Sequence, residues 1–221
     1  FLRAQKPGQP FALVVCYNNP HDVYEYRPGV SKPEASTKLP ASCDPEALKG
    51  KPAPQLRFMT GDQGRRIHGQ PPDEYRAYRE VYRDKVRLYD SGLAQVLGAL
   101  EEGGNKSDTL AIVTSDHGDM DAHHGLIWKG PFMYEQMVRV PLLIRGPGIA
   151  PRRETRHHAV NIDLTPTILD YAGAMARSTH GVSLRPLLEG SPRFRHRQTV
   201  FAEYHGKQKW TEPIRMIRTP E

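Results

Sequence analysis

Cysteine is nearly missing from this chain: Cys16 and Cys43 are the only two in 221 residues. Two thiols cannot make the multi-bridge framework on which small secreted scaffolds depend, and they leave the redox compartment open. Long apolar runs are missing as well, since no window approaches the roughly 20 apolar residues of a membrane-spanning helix. The chain opens on Phe1-Leu2-Arg3-Ala4-Gln5-Lys6, with neither an initiator methionine nor the pattern of a secretory signal. A fragment or processed chain is therefore expected, with any targeting segment upstream, so that periplasmic or secreted and cytoplasmic locations all stay open. Negative charge is the scarcer sign. The 25 Asp+Glu against 31 Lys+Arg give net +6 and a pI near 9.3, which favours anionic partners, either nucleic acid or a sulfated or phosphorylated small molecule. With 38% hydrophobic residues, the chain can bury one large domain, or one domain plus part of a second.

Phe11 to Val15 is a continuous apolar run introduced by Pro7, Gly8 and Pro10, the pattern of a buried strand, and it ends in the polar turn Cys16-Tyr17-Asn18-Asn19-Pro20-His21. Residues 27 to 72 carry many of the twenty prolines with little periodicity and read as a long irregular excursion over the surface. From Asp73 to about Glu102, Tyr75, Tyr78, Tyr82, Val86, Tyr89, Leu93, Val96, Leu97 and Leu100 recur every three to four residues. That spacing predicts a long amphipathic helix, stopped by Gly103-Gly104. Thr109 to Ser115 and Val138 to Arg145 read as further strands, the second made irregular by Pro141. Asn161 to Tyr171 suggests a helix capped by Asp163 or Thr165 and closed by Gly173. Thr199 to Tyr204 resembles another strand. Strands alternating with helices predict an α/β protein with a central, largely parallel sheet flanked by helices.

In open α/β sheets ligands bind beyond the carboxyl ends of strands, and two strands here end in reactive groups. The first delivers His21. The second delivers Asp116-His117 ahead of Gly118, whose backbone freedom permits a tight turn. Asp116 is a hard ligand suited to calcium, magnesium or manganese, and His117 shifts the balance toward a borderline ion or a mixed shell. One carboxylate and one imidazole do not fill a coordination shell, so further ligands must come from elsewhere. Lys129 can hold a sulfuryl or phosphoryl oxygen, and His21 can act as a general acid. His123 and His124, with Asp119 and Asp121, match no zinc or EF-hand spacing and read as a polar loop rimming the site. Arg193, Arg195, His196 and Arg197, interrupted by Phe194, read as a solvated basic face, without the further signatures that nucleic-acid binding would need.

Taken together these segments resemble the sulfatase family of the alkaline-phosphatase-like superfamily. Ser115-Asp116-His117-Gly118 is the most specific match, followed by Lys129, Tyr134-Glu135, and Arg139-Val140-Pro141-Leu142 closing on Gly146-Pro147-Gly148. Pro20-His21, Asp163 to Leu169, Gly181 to Leu184 and Pro186-Leu187-Leu188 follow the same family order. The resemblance covers about residues 1 to 190. It implies a sulfatase-like α/β catalytic domain lacking its N-terminal part over 1–190, and the start of a smaller C-terminal subdomain over 191–221.

The resemblance further implies that Asp116 and His117 bind a divalent metal, usually calcium, with manganese as the alternative. Lys129 would hold a sulfate oxygen, and His21 would contact the sulfate and help the leaving group depart. The Asp-His pair resembles the choline-sulfatase and phosphonate-monoester-hydrolase branches, where many other sulfatases carry Asp-Asn. The family's paired aspartates, its formylglycine nucleophile in Cys/Ser-x-Pro/Ala-x-Arg and a Lys-x-His pair are expected upstream. Cys43-Asp44-Pro45-Glu46-Ala47 has alanine where the arginine is required and follows Pro20-His21 in the wrong order, so Cys43 is an ordinary loop cysteine. The expected activity is hydrolysis of anionic small-molecule or sugar sulfate esters by the full-length protein, with this chain by itself inactive and no nucleic-acid partner. A phosphonate monoester or phosphodiester hydrolase of the same superfamily, and a non-catalytic anion- or metal-binding protein, are the alternatives.

Overall fold

A computed structural model describes residues 1–221 except 7, 22–25, 30–32, 62, 152–156, 176–177, 193–196, 207–209 and 220–221. Arg193, Arg195 and His196 of the basic cluster therefore lie outside the described residues. The chain forms two compact units: residues 1–104 with 117–140, and residues 105–116 with 141–221.

The first unit is helical. Within 27–72, expected to be irregular throughout, lie a one-turn helix α1 (Pro45–Leu48) and a nine-residue helix α2 (Ala53–Gly61). Asp44 starts α1 by accepting the Glu46 amide at 2.8 Å, and Pro45 occupies the first helical position, where its missing N–H costs nothing. Helix α2 is fixed by what it buries: Gln55, Phe58 and Met59 are all at most 2% exposed. The Phe58 ring meets Phe132 edge-on at 5.2 Å and 84°, a favoured aromatic geometry. Replacing Phe58 by alanine is expected to destabilise the protein by about 3–5 kcal/mol. A urea midpoint shifted by less than about 1 kcal/mol equivalent would show that this packing is not essential.

Helix α3 runs from Pro72 to Glu102, matching the periodicity, and at 31 residues extends about 46 Å. Gly103 receives the C-terminal turn and Gly104 leaves it at φ +72°, the left-handed conformation glycine adopts without penalty. Its buried residues are Tyr75, Ala77, Tyr78 and Leu100. Tyr75, Ala77 and Tyr78 join Tyr26, Ile67, Ala122, Ile127 and Trp128 in the core of this unit. The middle of the predicted apolar stripe is more open than expected, with Val86 40% exposed. A one-turn helix α4 (Glu135–Val138) ends on Val138, the residue expected to begin a strand.

Phe11 to Val15 is not a strand. It has no ladder partner among the described residues, and Val14 is 85% exposed. An apolar run becomes a strand only where another strand satisfies its backbone.

In the second unit β1 (Ala111–Thr114) pairs with β2 (Leu142–Arg145), joining Ala111 to Arg145 and Thr114 to Leu142. The pairing is antiparallel. Both strand pairs among the described residues are antiparallel, local pairings within the part of the α/β fold that this chain spans. The reason is local: residues 115–141 hold no crossover helix long enough to return the chain for parallel pairing. Helix α5 (Leu164–Tyr171) ends at Gly173, at φ +68°, followed by the single turn α6 (Arg185–Leu188). Asp163 stands at the cap position of α5, yet its side chain makes no cap hydrogen bond to the helix. Its buried carboxylate instead accepts the Val160 amide at 3.0 Å, the Val182 amide at 2.8 Å and Arg197 Nη2 at 2.5 Å. Arg197 is thus paired inside this unit rather than part of a solvated face. The strand expected at 199–204 is β3 (Val200–Tyr204), paired with β4 (Ile214–Arg218), which has no counterpart in the sequence reading. Among the described residues no helix is long and apolar enough to cross a membrane.

Candidate active site

Three of the four residues singled out by the sequence meet in the first unit. His21 closes a turn, its amide donating to Asn18 O at 2.8 Å. His117 and Lys129 stand at the two ends of a loop. Lys129 Nζ lies 2.6 Å from His21 Nε2 and 3.2 Å from His117 Nε2, and the two imidazole rings are 5.5 Å apart. The fourth, Asp116, is exposed and follows β1 in the second unit, one peptide bond before His117; Ser115 Oγ lies 3.4 Å from its Oδ1.

The hydrogen bonds assign the protons. His117 Nδ1 is 2.8 Å from Gly118 O, and a carbonyl only accepts, so Nδ1 carries the hydrogen and Nε2 keeps its lone pair. An ammonium has three donors and no acceptor. Lys129 therefore donates to Nε2 of His117 and of His21 and has one further N–H for an incoming oxygen. Two neutral imidazoles facing one cation make a small electropositive centre suited to an anion.

Gly118 makes the geometry possible. A Cβ there would sit 1.8 Å from Gln136 O, and the Gly118 amide donates to Met137 O at 3.0 Å. The apolar residues of the loop are interior, Met120, Ala122, Leu126 and Ile127 each being at most 1% exposed, while Asp119, Asp121, His123 and His124 are half-buried. Asp121, Ala122, His124 and Trp128 adopt φ of 42°, 69°, 57° and 60°, a left-handed conformation that each non-glycine residue holds only under external restraint.

The restraint comes from polar groups that the sequence reading passed over. Tyr78 OH lies 3.0 and 2.8 Å from the two Asp119 carboxylate oxygens and accepts the Trp128 amide at 3.0 Å. Burial pushes the Asp119 carboxyl up to about 6, opposed by hydrogen bonds from the Asp121 amide and Tyr78. Asp121 pairs with Arg79 Nη2 at 2.9 Å; burial raises its carboxyl and Arg79 opposes the rise. A tyrosine at a core-facing helix position was the available signal, because a buried hydroxyl requires a partner. His124 stacks on Tyr134 with ring centres 3.9 Å apart, and its imidazole is held below its ordinary range by burial and by Lys51. Cys43 is half-buried in a short turn, and burial pushes its thiol up, as suits a structural cysteine.

A carboxylate and an imidazole, the groups that Asp116 and His117 carry, are donors of a kind that a divalent ion accepts. They supply part of a shell and no more: among the described residues no group of three or more His, Cys, Asp or Glu side chains converges to hold a metal. Asp119 and Asp121 are engaged with Tyr78 and Arg79.

Comparison with known proteins decides the family. The sulfatase family profile matches residues 1–174. This chain belongs to the sulfatase family. A Δ4,5-hexuronate-2-O-sulfatase of Bacteroides thetaiotaomicron is 28% identical over 97% of the chain and 47% of its own length. A choline-sulfatase of Rhizobium meliloti is 30% identical over 95% of the chain and 41% of its own length. Among solved structures, a phosphonate monoester hydrolase from Silicibacter pomeroyi superposes with a TM-score of 0.62 at 30% identity, over 90% of this chain and 38% of that one. The sulfatase chain thus spans a little under half the length of the curated relatives it matches, and both branches suggested by the Asp-His pair occur among its likenesses.

Proposed function

We propose that the full-length protein is a metal-dependent sulfatase acting on sulfate esters, with a sulfated sugar as the substrate class. The observation that carries the reading is the meeting of His21, His117 and Lys129 around one ammonium, in a chain of this family whose relatives include a hexuronate sulfatase. Lys129 holds a sulfuryl oxygen through its third N–H. His21, 2.6 Å from Lys129, is assigned as the group that delivers a proton to the departing alkoxide. His117 through its imidazole and Asp116 through its carboxylate would hold the divalent metal, for which calcium is the proposed ion and manganese the alternative. When bound, the ion neutralises charge on the sulfuryl oxygens. The nucleophile is assigned to a formylglycine elsewhere in the full-length protein, and residues 191–221 to the start of a smaller subdomain.

Phosphonate monoester hydrolysis is a second reading, favoured by the likeness to the Silicibacter enzyme and by the Asp116-His117 pair. The discriminating measurement is kcat/KM of the full-length, metal-loaded protein on an aryl sulfate and an aryl phosphonate monoester side by side. A higher value for the sulfate is expected. The reverse order would transfer the assignment to the phosphonate reading, and no turnover of either ester with the nucleophile motif absent would point to anion binding without catalysis.

A further inference from the structure

Tyr78 joins α3 to both limbs of the loop that carries the site. Its ring is fully buried and packs edge-on against Tyr26, 5.4 Å away at 83°. The hydroxyl donates to Asp119, two residues after His117, and accepts from the amide of Trp128, one residue before Lys129. A second rung, Met120 N–H to Trp128 O at 2.8 Å, ties the same limbs together. Between them lie Asp121, Ala122 and His124 in left-handed backbone, with Trp128 at the returning end, so the loop does not select this path through local preference. One oxygen atom on a rigid helix therefore sits within hydrogen-bonding distance of both limbs, just inside the ends where His117 Nε2 and Lys129 Nζ stand 3.2 Å apart.

We propose that the Tyr78 hydroxyl, through Asp119 and the Trp128 amide, is a positioning group that sets the spacing of Lys129 from His117. It touches no substrate. The inference rests on the reading of Lys129 as the sulfate-binding lysine. Losing the hydroxyl leaves the ring packing intact but removes the link between the limbs. A displacement of about 1 Å at a reacting group can cost on the order of 10²-fold in rate.

The test is a double-mutant cycle in the full-length enzyme with an aryl sulfate. Tyr78→Phe is expected to lower kcat/KM about 10- to 100-fold. In the Lys129→Ala background the same change should cost less than about threefold, because the group it positions is gone. A purely structural role would give the same fold loss in both backgrounds, and that result overturns the inference, as does wild-type kinetics for Tyr78→Phe. If Tyr78→Phe does not fold, judged by urea unfolding, Asp119→Asn serves in the same cycle. It keeps the shape and weakens the acceptor, and its smaller loss must likewise vanish without Lys129; a loss that persists overturns the inference. Full activity of Lys129→Ala alone would instead sink the reading of Lys129, whereas additive losses with Lys129→Ala impaired sink only the role of Tyr78.

Discussion

Replacing Lys129 by alanine in the full-length sulfatase is expected to lower kcat/KM for sulfate esters about 10²- to 10³-fold, the usual cost of deleting a preorganised group that faces developing charge. The change removes three things at once under the proposed role: the N–H for the sulfuryl oxygen, and the donors to Nε2 of His21 and His117. Arginine should not rescue, because a planar guanidinium cannot occupy a point 2.6 Å from one imidazole and 3.2 Å from another as a compact ammonium does. His21→Ala is the companion test, with an expected loss of about 10²- to 10⁴-fold. Its signature is dependence on the leaving group: the loss should be largest for an alkyl sulfate and shrink for a nitrophenyl sulfate, whose phenolate leaves without a proton. Both variants should unfold near the wild-type urea midpoint. Normal turnover in both would refute the assignment, and equal losses across leaving groups would remove the acid role from His21 while leaving Lys129 in place.

The second large effect concerns stability. Asp163→Ala is expected to cost about 3–5 kcal/mol, the penalty for breaking a buried charged pair by removing one partner. Asp163 is 1% exposed, and its carboxylate holds the amides of Val160 and Val182 and the guanidinium of Arg197. Its main-chain carbonyl accepts Thr167 Oγ1 at 2.6 Å, and that oxygen in turn accepts the Leu184 amide at 2.9 Å. Truncation strands two amides and a cation, against a typical total stability of about 5–15 kcal/mol. Asp163→Asn keeps one acceptor and should cost clearly less. Equal losses for the two variants in urea unfolding would mean that the negative charge, rather than the accepted hydrogen bonds, is what the segment needs.

Local periodicity made α3 legible almost to the residue, because a 31-residue helix with a repeating apolar stripe carries its own signal. The candidate site residues were legible for a different reason: the roles given to His21, Asp116, His117 and Lys129 came from the family resemblance, and the structure brings His21, His117 and Lys129 together. What escaped was decided at long range. Phe11 to Val15 has strand composition and no described partner, while β4, Ile-Arg-Met-Ile-Arg, lacks a regular alternation, and its pairing with β3 only the register reveals. Asp119 and Asp121 read only as part of a polar rim because nothing local announces that Tyr78 and Arg79, some forty residues earlier, will meet them. Helix α2 was hidden by flanking prolines, although Pro54 lies where a helix tolerates it.

A Cβ at position 118 would run into the Gln136 carbonyl, so any side chain there would have to displace backbone. That Cβ would lie 1.8 Å from Gln136 O, so the residue after His117 cannot be used to tune the imidazole's surroundings. New specificities would have to be written on other surfaces around the site, leaving this backbone crossing as an inherited fixed point.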